Sequence, residues 1–144
     1  MIKIICVGKV KEKYLEEAIK EYTKRISKYT KLEIIELKDS NILNEKEEIL
    51  KIINLKDYII TLDIQGNMLN SIDFSEKIRQ TLIINSNITF IIGGSDGLDE
   101  TIKKISNYPI SFSKLTFPHQ LFRVILLEQI YRAFKIINNE TYHK

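Results

Sequence analysis

Ile88-Thr-Phe-Ile-Ile-Gly-Gly-Ser-Asp-Gly97 decides how this chain folds. Five residues, apolar except for Thr89, run straight into two glycines. A short apolar run bounded by turn residues suits a strand buried on both faces, as in a parallel sheet. A helical pattern follows from about Asp99 to Ser106. Buried strand, tight turn and helix together form the unit from which α/β domains are built. Adjacent glycines at a strand end let the backbone approach a ligand without an intervening Cβ, and they permit φ > 0. They also suit a plain strand-to-helix turn. The stretch is not Gly-x-Gly-x-x-Gly, and no Walker A sequence occurs anywhere in the chain, so both phosphate fingerprints are missing.

The same alternation holds on either side. Ile2 to Val7 is a nearly continuous apolar run ending at Gly8. Lys11 to Tyr29 predicts a helix, because Leu15, Ala18, Ile19, Tyr22 and Ile26 recur at spacings of three and four. Leu32 to Leu37 reads as the second strand, Asp39-Ser40-Asn41 as a turn, and Asn44 to Ile53 as a second helix. The acids Glu45, Glu47 and Glu48 lie near that helix's N-terminus, where its dipole favours them. Tyr58 to Leu62 is a third strand, closing at Asp63-Ile-Gln-Gly66. Ser71 can cap the next helix, whose inner face carries Phe74, Ile78 and Leu82. Ile110 to Phe112 is a short fifth strand, and the last helix starts near Pro118, a residue suited to a first helical turn. Strands alternating with helices predict an α/β fold around a mostly parallel sheet flanked by helices. At 144 residues without repeat, linker or low-complexity tract, the chain is a single domain, 1–144.

Composition excludes several classes. An apolar fraction of 44% and a charged fraction of 28% are those of an ordinary globular protein. A net charge of +3 points only weakly to an anionic partner. Cys6, the single cysteine, allows no internal disulfide, and no Cys/His cluster has metal-ligand spacing, so no metal is expected. No apolar stretch approaches the ~20 residues that span a bilayer. The first residues read as a strand, not a signal peptide. No membrane partner and a cytoplasmic location are the expectations.

The last third is dense in chemistry. From Leu121 to Leu127 the helix is apolar on nearly every side, broken only by Arg123. A helix covered by one sheet would show a single stripe, so a second subunit is expected against it. Leu115-Thr-Phe-Pro-His-Gln120 sets a hydroxyl, an aromatic ring and an imidazole around a fixed turn. His119 lies in the first helical turn, where the dipole disfavours a cation, and is expected to secure the turn by hydrogen bonding. Glu128 and Arg132 are four apart and can pair along one helix face. Tyr142-His143-Lys144 is a terminal tripeptide, by default solvated.

These residues resemble a known family. Leu115-Thr-Phe-Pro-His-Gln120, Arg123-Val, Leu127-Glu-Gln-Ile-Tyr-Arg-Ala-Phe-Lys135 and the ending Tyr142-His-Lys144 resemble the bacterial large-subunit rRNA pseudouridine N3-methyltransferases, small members of the SPOUT superfamily. Val7-Gly8-Lys9, Glu21-Tyr22-x-Lys24-Arg25 and Ile91-Ile-Gly-Gly-Ser95 match as well, so the resemblance covers essentially the whole chain. The segment from Asp39 to Glu47 is shorter than in the family. The resemblance implies a single SPOUT domain whose C-terminal part forms a trefoil knot, with a knotted cofactor site in roughly residues 88–138. It implies S-adenosyl-L-methionine as cofactor and a homodimer. The substrate would be N3 of a pseudouridine in 23S rRNA, presented by the assembled ribosome or large subunit. The family's cofactor positions map to Leu62, Gly93, Phe112, Ser113, Lys114, Leu115, Thr116 and Phe117. Arg132, Tyr142 and His143 are the catalytic candidates. Arg132 would hold an anionic pyrimidine or phosphate. His143 would accept the N3 proton or orient the base. The tail would close over the partner subunit's pocket. A non-catalytic RNA-binding module and a phosphate-binding α/β enzyme are the competing classes, and S-adenosylmethionine binding separates them from the methyltransferase.

Overall fold

The computed structural model describes residues 1–144. Five strands and five helices alternate: β1 (Ile2–Val7), α1 (Lys13–Ile26), β2 (Leu32–Leu37), α2 (Ile42–Ile52), β3 (Tyr58–Met68), α3 (Ser71–Ile84), β4 (Ile88–Ile92), α4 (Glu100–Ile105), β5 (Tyr108–Ser111) and α5 (His119–Ile137). All neighbouring strands pair in parallel, in the order β2-β1-β4-β3-β5. The α/β architecture expected from the alternation is the one observed. Every residue of β4 is buried, as its apolar run requires. Successive side chains of a strand face opposite ways, and the two cores follow that rule. Ile2, Ile4 and Cys6 pack with Ile26, Phe74, Ile78, Leu126, Leu127 and Ile130 under α1, α3 and α5. Ile5, Ile59 and Ile91 pack with Ile49 and Ile102 under α2 and α4. No helix is long and apolar enough to cross a membrane, and no group of His, Cys, Asp and Glu could hold a metal ion.

Several boundaries differ from expectation for local reasons. β3 does not stop at Leu62 but runs to Met68, with a register shift against β5 between Leu62 and Asn67. Residues 63–66 interrupt the pairing, and Gly66 lets the strand resume: a Cβ there would stand 2.8 Å from the backbone of Pro109 and Ile110. α2 begins at Ile42, because Asn41 accepts a hydrogen bond from Asn44 N (2.9 Å) and so caps the helix. Asn70, not Ser71, caps α3, accepting from Asp73 N at 2.7 Å, while Ser71 donates to Gln129 on α5. The fifth strand is Tyr108–Ser111, so Phe112 falls in the loop beyond it. Pro118 is the N-cap of α5, and no side chain caps that helix.

Arg123 is the unexpected core residue. It is 1% exposed, on the face of α5 that also carries Leu126, Leu127 and Ile130. A buried guanidinium must be paired and hydrogen-bonded. Nη1 donates to Glu36 at the end of β2, and Nη2 donates to the Gly8 carbonyl at 3.0 Å. Its Nε has no partner. The apparent interruption of an apolar helix is thus the tie between α5 and the ends of β1 and β2.

Candidate active site

The carboxyl ends of β3, β4 and β5 open into a cavity of about 400 Å³, the usual location and size of a ligand site in such sheets. Leu62, Gly93, Phe112, Ser113, Leu115, Thr116 and Phe117 line it; Lys114, between them, is exposed and not part of the wall. Two loops shape the opening. In the first, Gly97 N donates to Gly94 O at 3.0 Å, and Gly97 sits at φ +77°, a conformation that suits glycine. In the second, Ser111 Oγ donates to Ser113 O (3.0 Å) and Ser113 Oγ accepts from Leu115 N (2.9 Å). Gly93 has a structural duty that the sequence did not disclose. A Cβ there would meet the Gly97 carbonyl carbon and oxygen at 2.7 Å, so bulk at this position displaces the loop before it reaches any ligand.

One wall is aromatic. Phe112 and Phe122 lie 5.1 Å apart between centroids, Phe117 and Phe122 5.9 Å, and Phe74 meets Phe112 edge-on at 5.9 Å. Behind Phe112 and Phe117 lies a second cavity, between the start of α3 and Ile125 and Gln129 of α5. The other side of the main cavity is charged. Asp63, Asp96 and Lys103 line it, with Lys103 Nζ 3.7 Å from Asp63. Behind Gly94 the carboxylate of Glu45 is buried and accepts from Ser40 N at 2.9 Å. Burial, followed by the nearby Asp39, raises its pKa. His119 also lines the cavity, but its ring makes no hydrogen bond, contrary to expectation. Its ring packs over Gly8, with Nε2 3.3 Å from where a Cβ would stand. The positive φ of Gly8 (+90°) and its missing side chain leave that space to the imidazole.

The other three singled-out residues lie together at the far end of α5. Arg132 Nε donates to Glu128 at 2.8 Å, and Nη1 is 3.1 Å from His143 Nδ1. The guanidinium covers the Tyr142 ring at 4.7 Å, and Tyr142 meets Tyr131 edge-on at 4.9 Å. The Glu128 hydrogen bond raises the pKa of Arg132. Arginine only donates, so His143 Nδ1 must accept, which leaves the ring's proton on Nε2. The tail is not loose: Asn139 turns the chain at φ +54°, and Glu140 accepts from Tyr29 OH at 2.8 Å and pairs with Lys135 at 3.1 Å. These contacts correct the expectation of a solvated tail that adds little to packing. Partners from 5 to 111 positions away supply them, and nothing local in the terminal tripeptide signals them. Thirteen residues of helix separate His119 from Arg132, about 20 Å at ~1.5 Å per residue. Within one chain the cavity and the tail cluster are therefore not brought together.

Known proteins share this chain's sequence along its length. The family model described as "Predicted SPOUT methyltransferase" matches residues 1–143. The protein called ribosomal RNA large subunit methyltransferase H in Clostridium botulinum is 55% identical, the alignment covering 99% of each chain. Its namesake in Clostridium perfringens is 51% identical over the same shares. Among solved structures, a methylase-family protein of Haemophilus influenzae superimposes with a TM-score of 0.60 at 15% identity, covering 99% of this chain and 70% of that one. At that identity the likeness concerns the fold alone.

Proposed function

The chain belongs to the SPOUT methyltransferase family, and from that premise we propose that it transfers a methyl group from S-adenosyl-L-methionine to N3 of a pseudouridine in 23S rRNA, on the assembled ribosome or large subunit. The observation that carries the reading is the wall of the cavity. Its ionisable groups, apart from His119, are Asp63, Asp96 and Lys103, a set leaning to negative charge. S-adenosylmethionine carries a net positive charge and suits that wall; a nucleoside triphosphate does not. Glycine backbone at 93–97 and the turn at 111–115 offer amides and carbonyls to adenine and methionine, and Leu62, Leu115 and Phe117 offer apolar contact. Leu62, Gly93 and Phe112 to Phe117 are the proposed cofactor residues, Lys114 contributing its backbone. In this reading, residues 88–138 form the knotted site.

When bound, S-adenosylmethionine supplies an electrophilic methyl on a sulfonium. The chain's own residues do the rest. Uracil-type N3 must lose its proton, and the anionic base must be stabilised. Arg132, held rigid by Glu128, is the cation for that charge. His143 is the proton acceptor or orienter. Its Nδ1 lone pair is engaged by Arg132, so accepting a proton there requires that contact to break. Tyr142 stacks beneath Arg132 and fixes its plane. Because the cluster lies about 20 Å along α5 from the cavity at ~1.5 Å per residue, the tail completes the site of a partner subunit in a homodimer. Leu121, 39% exposed, and half-buried Val124 and Ile125 supply apolar surface for that contact. A reaction on ribosomes places the enzyme in the cytoplasm.

Calorimetric titration with S-adenosylmethionine tests the cofactor, and methylation mapping of 23S rRNA from a gene-deleted strain tests the nucleotide. A folded protein that binds no S-adenosylmethionine overturns the reading. A stable monomer at micromolar concentration by light scattering overturns the shared site.

A further inference from the structure

We propose that the seam between α1 and α5 is a nucleobase-stacking site for rRNA, in which Tyr22 and Arg25 of α1 extend the tail cluster. The proposal rests on the rRNA reading above. α1 contributes no residue to either cavity, yet its edge against α5 interleaves rings and cations, with Tyr22 and Tyr131 partly buried against the core. Tyr22 lies 6.2 Å from Tyr131, which in turn meets Tyr142 at 4.9 Å. The Arg25 guanidinium sits 5.4 Å from the Tyr22 centroid and 5.6 Å from that of Tyr131, and Arg132 covers Tyr142. Three phenol rings and two guanidinium planes are thus interleaved, and all five residues are half-buried.

Arg25 carries the argument. Its side chain is 40% exposed. Nε donates to Glu21 at 3.0 Å, while Nη1 and Nη2 donate to no protein group. Arg79, on the surface of α3, commits both Nε and Nη2 to Glu76 instead. Arg25 therefore keeps one planar face on the tyrosines and its terminal donors free for a phosphate or a base edge. The carboxylates at the seam, Glu21, Glu128 and Glu140, are each matched by a cation, namely Arg25, Arg132 and Lys135. Lys24 is left in excess, in no ion pair. Single-stranded RNA is read by splaying bases onto aromatic rings and arginine planes, and stacking tolerates any base because each has a π-face. The seam adjoins Arg132 and His143, so a nucleotide next to the target is the fitting occupant.

The test measures methylation of ribosomes from a gene-deleted strain against ribosome concentration at saturating S-adenosylmethionine. Arg25→Ala should raise KM about 10- to 100-fold, the range that loss of a stacking contact gives, with kcat and S-adenosylmethionine affinity retained. Tyr22→Phe, which keeps the ring, should stay close to wild type, and Arg79→Ala, the control on α3, should leave KM unchanged. A fall in kcat at unchanged KM for Arg25→Ala would mean that Arg25 only props the tail, and it overturns the proposal, as does an unchanged pair of constants. Should the wild type not methylate ribosomes, the rRNA reading fails first. Anisotropy with a fluorescein-labelled single-stranded RNA then decides the seam alone: equal affinity of wild type and Arg25→Ala refutes it, and weaker binding by the variant supports it.

Discussion

The two ends of α5 are built on opposite plans. At its N-terminus the cavity is shaped by main chain: glycines at 93, 94 and 97, a serine-stabilised turn at 111–115, and walls of Leu and Phe. At its C-terminus the cluster is shaped by side chains, with Arg132, Tyr142 and His143 held by Glu128, Tyr131 and, through Glu140, by Tyr29. The difference suits a division of labour. Main-chain donors and acceptors cannot titrate and lose no rotamer freedom, which suits a binding pocket. Ionisable side chains can take up or stabilise charge, which suits chemistry. A main-chain site should fail through distortion, and a side-chain site through deletion of single groups.

That contrast breaks most readily at the tail. Deleting Tyr142-His143-Lys144 should lower single-turnover methylation on ribosomes by ~10²–10⁴-fold, the usual contribution of positioned acid–base groups. Affinity for S-adenosylmethionine should stay within about twofold, since the two sites share no partner. Stability should fall slightly, because the Tyr131–Tyr142 contact is worth only about 0.5–1.5 kcal/mol. Strong loss of cofactor affinity on calorimetry would show that the ends of α5 are not separate in function.

Gly93→Val probes the other end. The variant should lose about 100-fold or more in S-adenosylmethionine affinity, about 2.8 kcal/mol at 1.4 kcal/mol per decade. Because its Cβ would meet Gly97 backbone at 2.7 Å, the loop must move, and a lower Tm should accompany the loss. Retained affinity with a normal Tm would refute the main-chain plan. Between the two ends, Arg123→Met should cost about 2–3 kcal/mol in urea unfolding. That is less than the ~3–5 kcal/mol of a fully buried pair, because Glu36 can turn to water. Its effect should fall on stability and leave the tail's contribution to rate alone.

The smallest effect concerns pH. Hydrogen bonding from Tyr29, then from Lys135, holds the Glu140 carboxyl below the usual glutamate range. A depressed acid stabilises the form in which it is charged. Its contribution to tail ordering is complete above the unfolded pKa of about 4.3 and is lost as pH falls through the lower, folded value. Exchange protection of the Asn139 and Glu140 amides, which donate to Ile136 O and Lys135 O, should fall in that acidic window relative to the intrinsic rate at each pH, with the Gly97 amide unaffected. Glu140→Gln should show low protection of those two amides at every pH.

By itself, the sequence determined the parts that local chemistry controls. Apolar runs ending in Gly8 and Gly93 marked buried parallel strands, the three- and four-residue spacing marked α1 and α3, and the strand ends at Leu62, Gly93 and Ser113 marked where a cavity would open. Periodicity and glycine placement express backbone geometry directly, so they can be read from a few neighbouring residues. Contacts between distant residues could be decided only in the folded chain. Arg123 looked like a break in an apolar helix until Glu36 and the Gly8 carbonyl, from strands more than 80 residues away, met it. Gly93 looked like space for a ligand until the Gly97 carbonyl closed on it. β3 outlasted its apolar run because Gly66 could cross the backbone of β5. The tail, polar and terminal, had every mark of a fraying end. It is ordered because Tyr29 and Tyr131, brought together by the packing of α1 on α5, give its side chains something to hold.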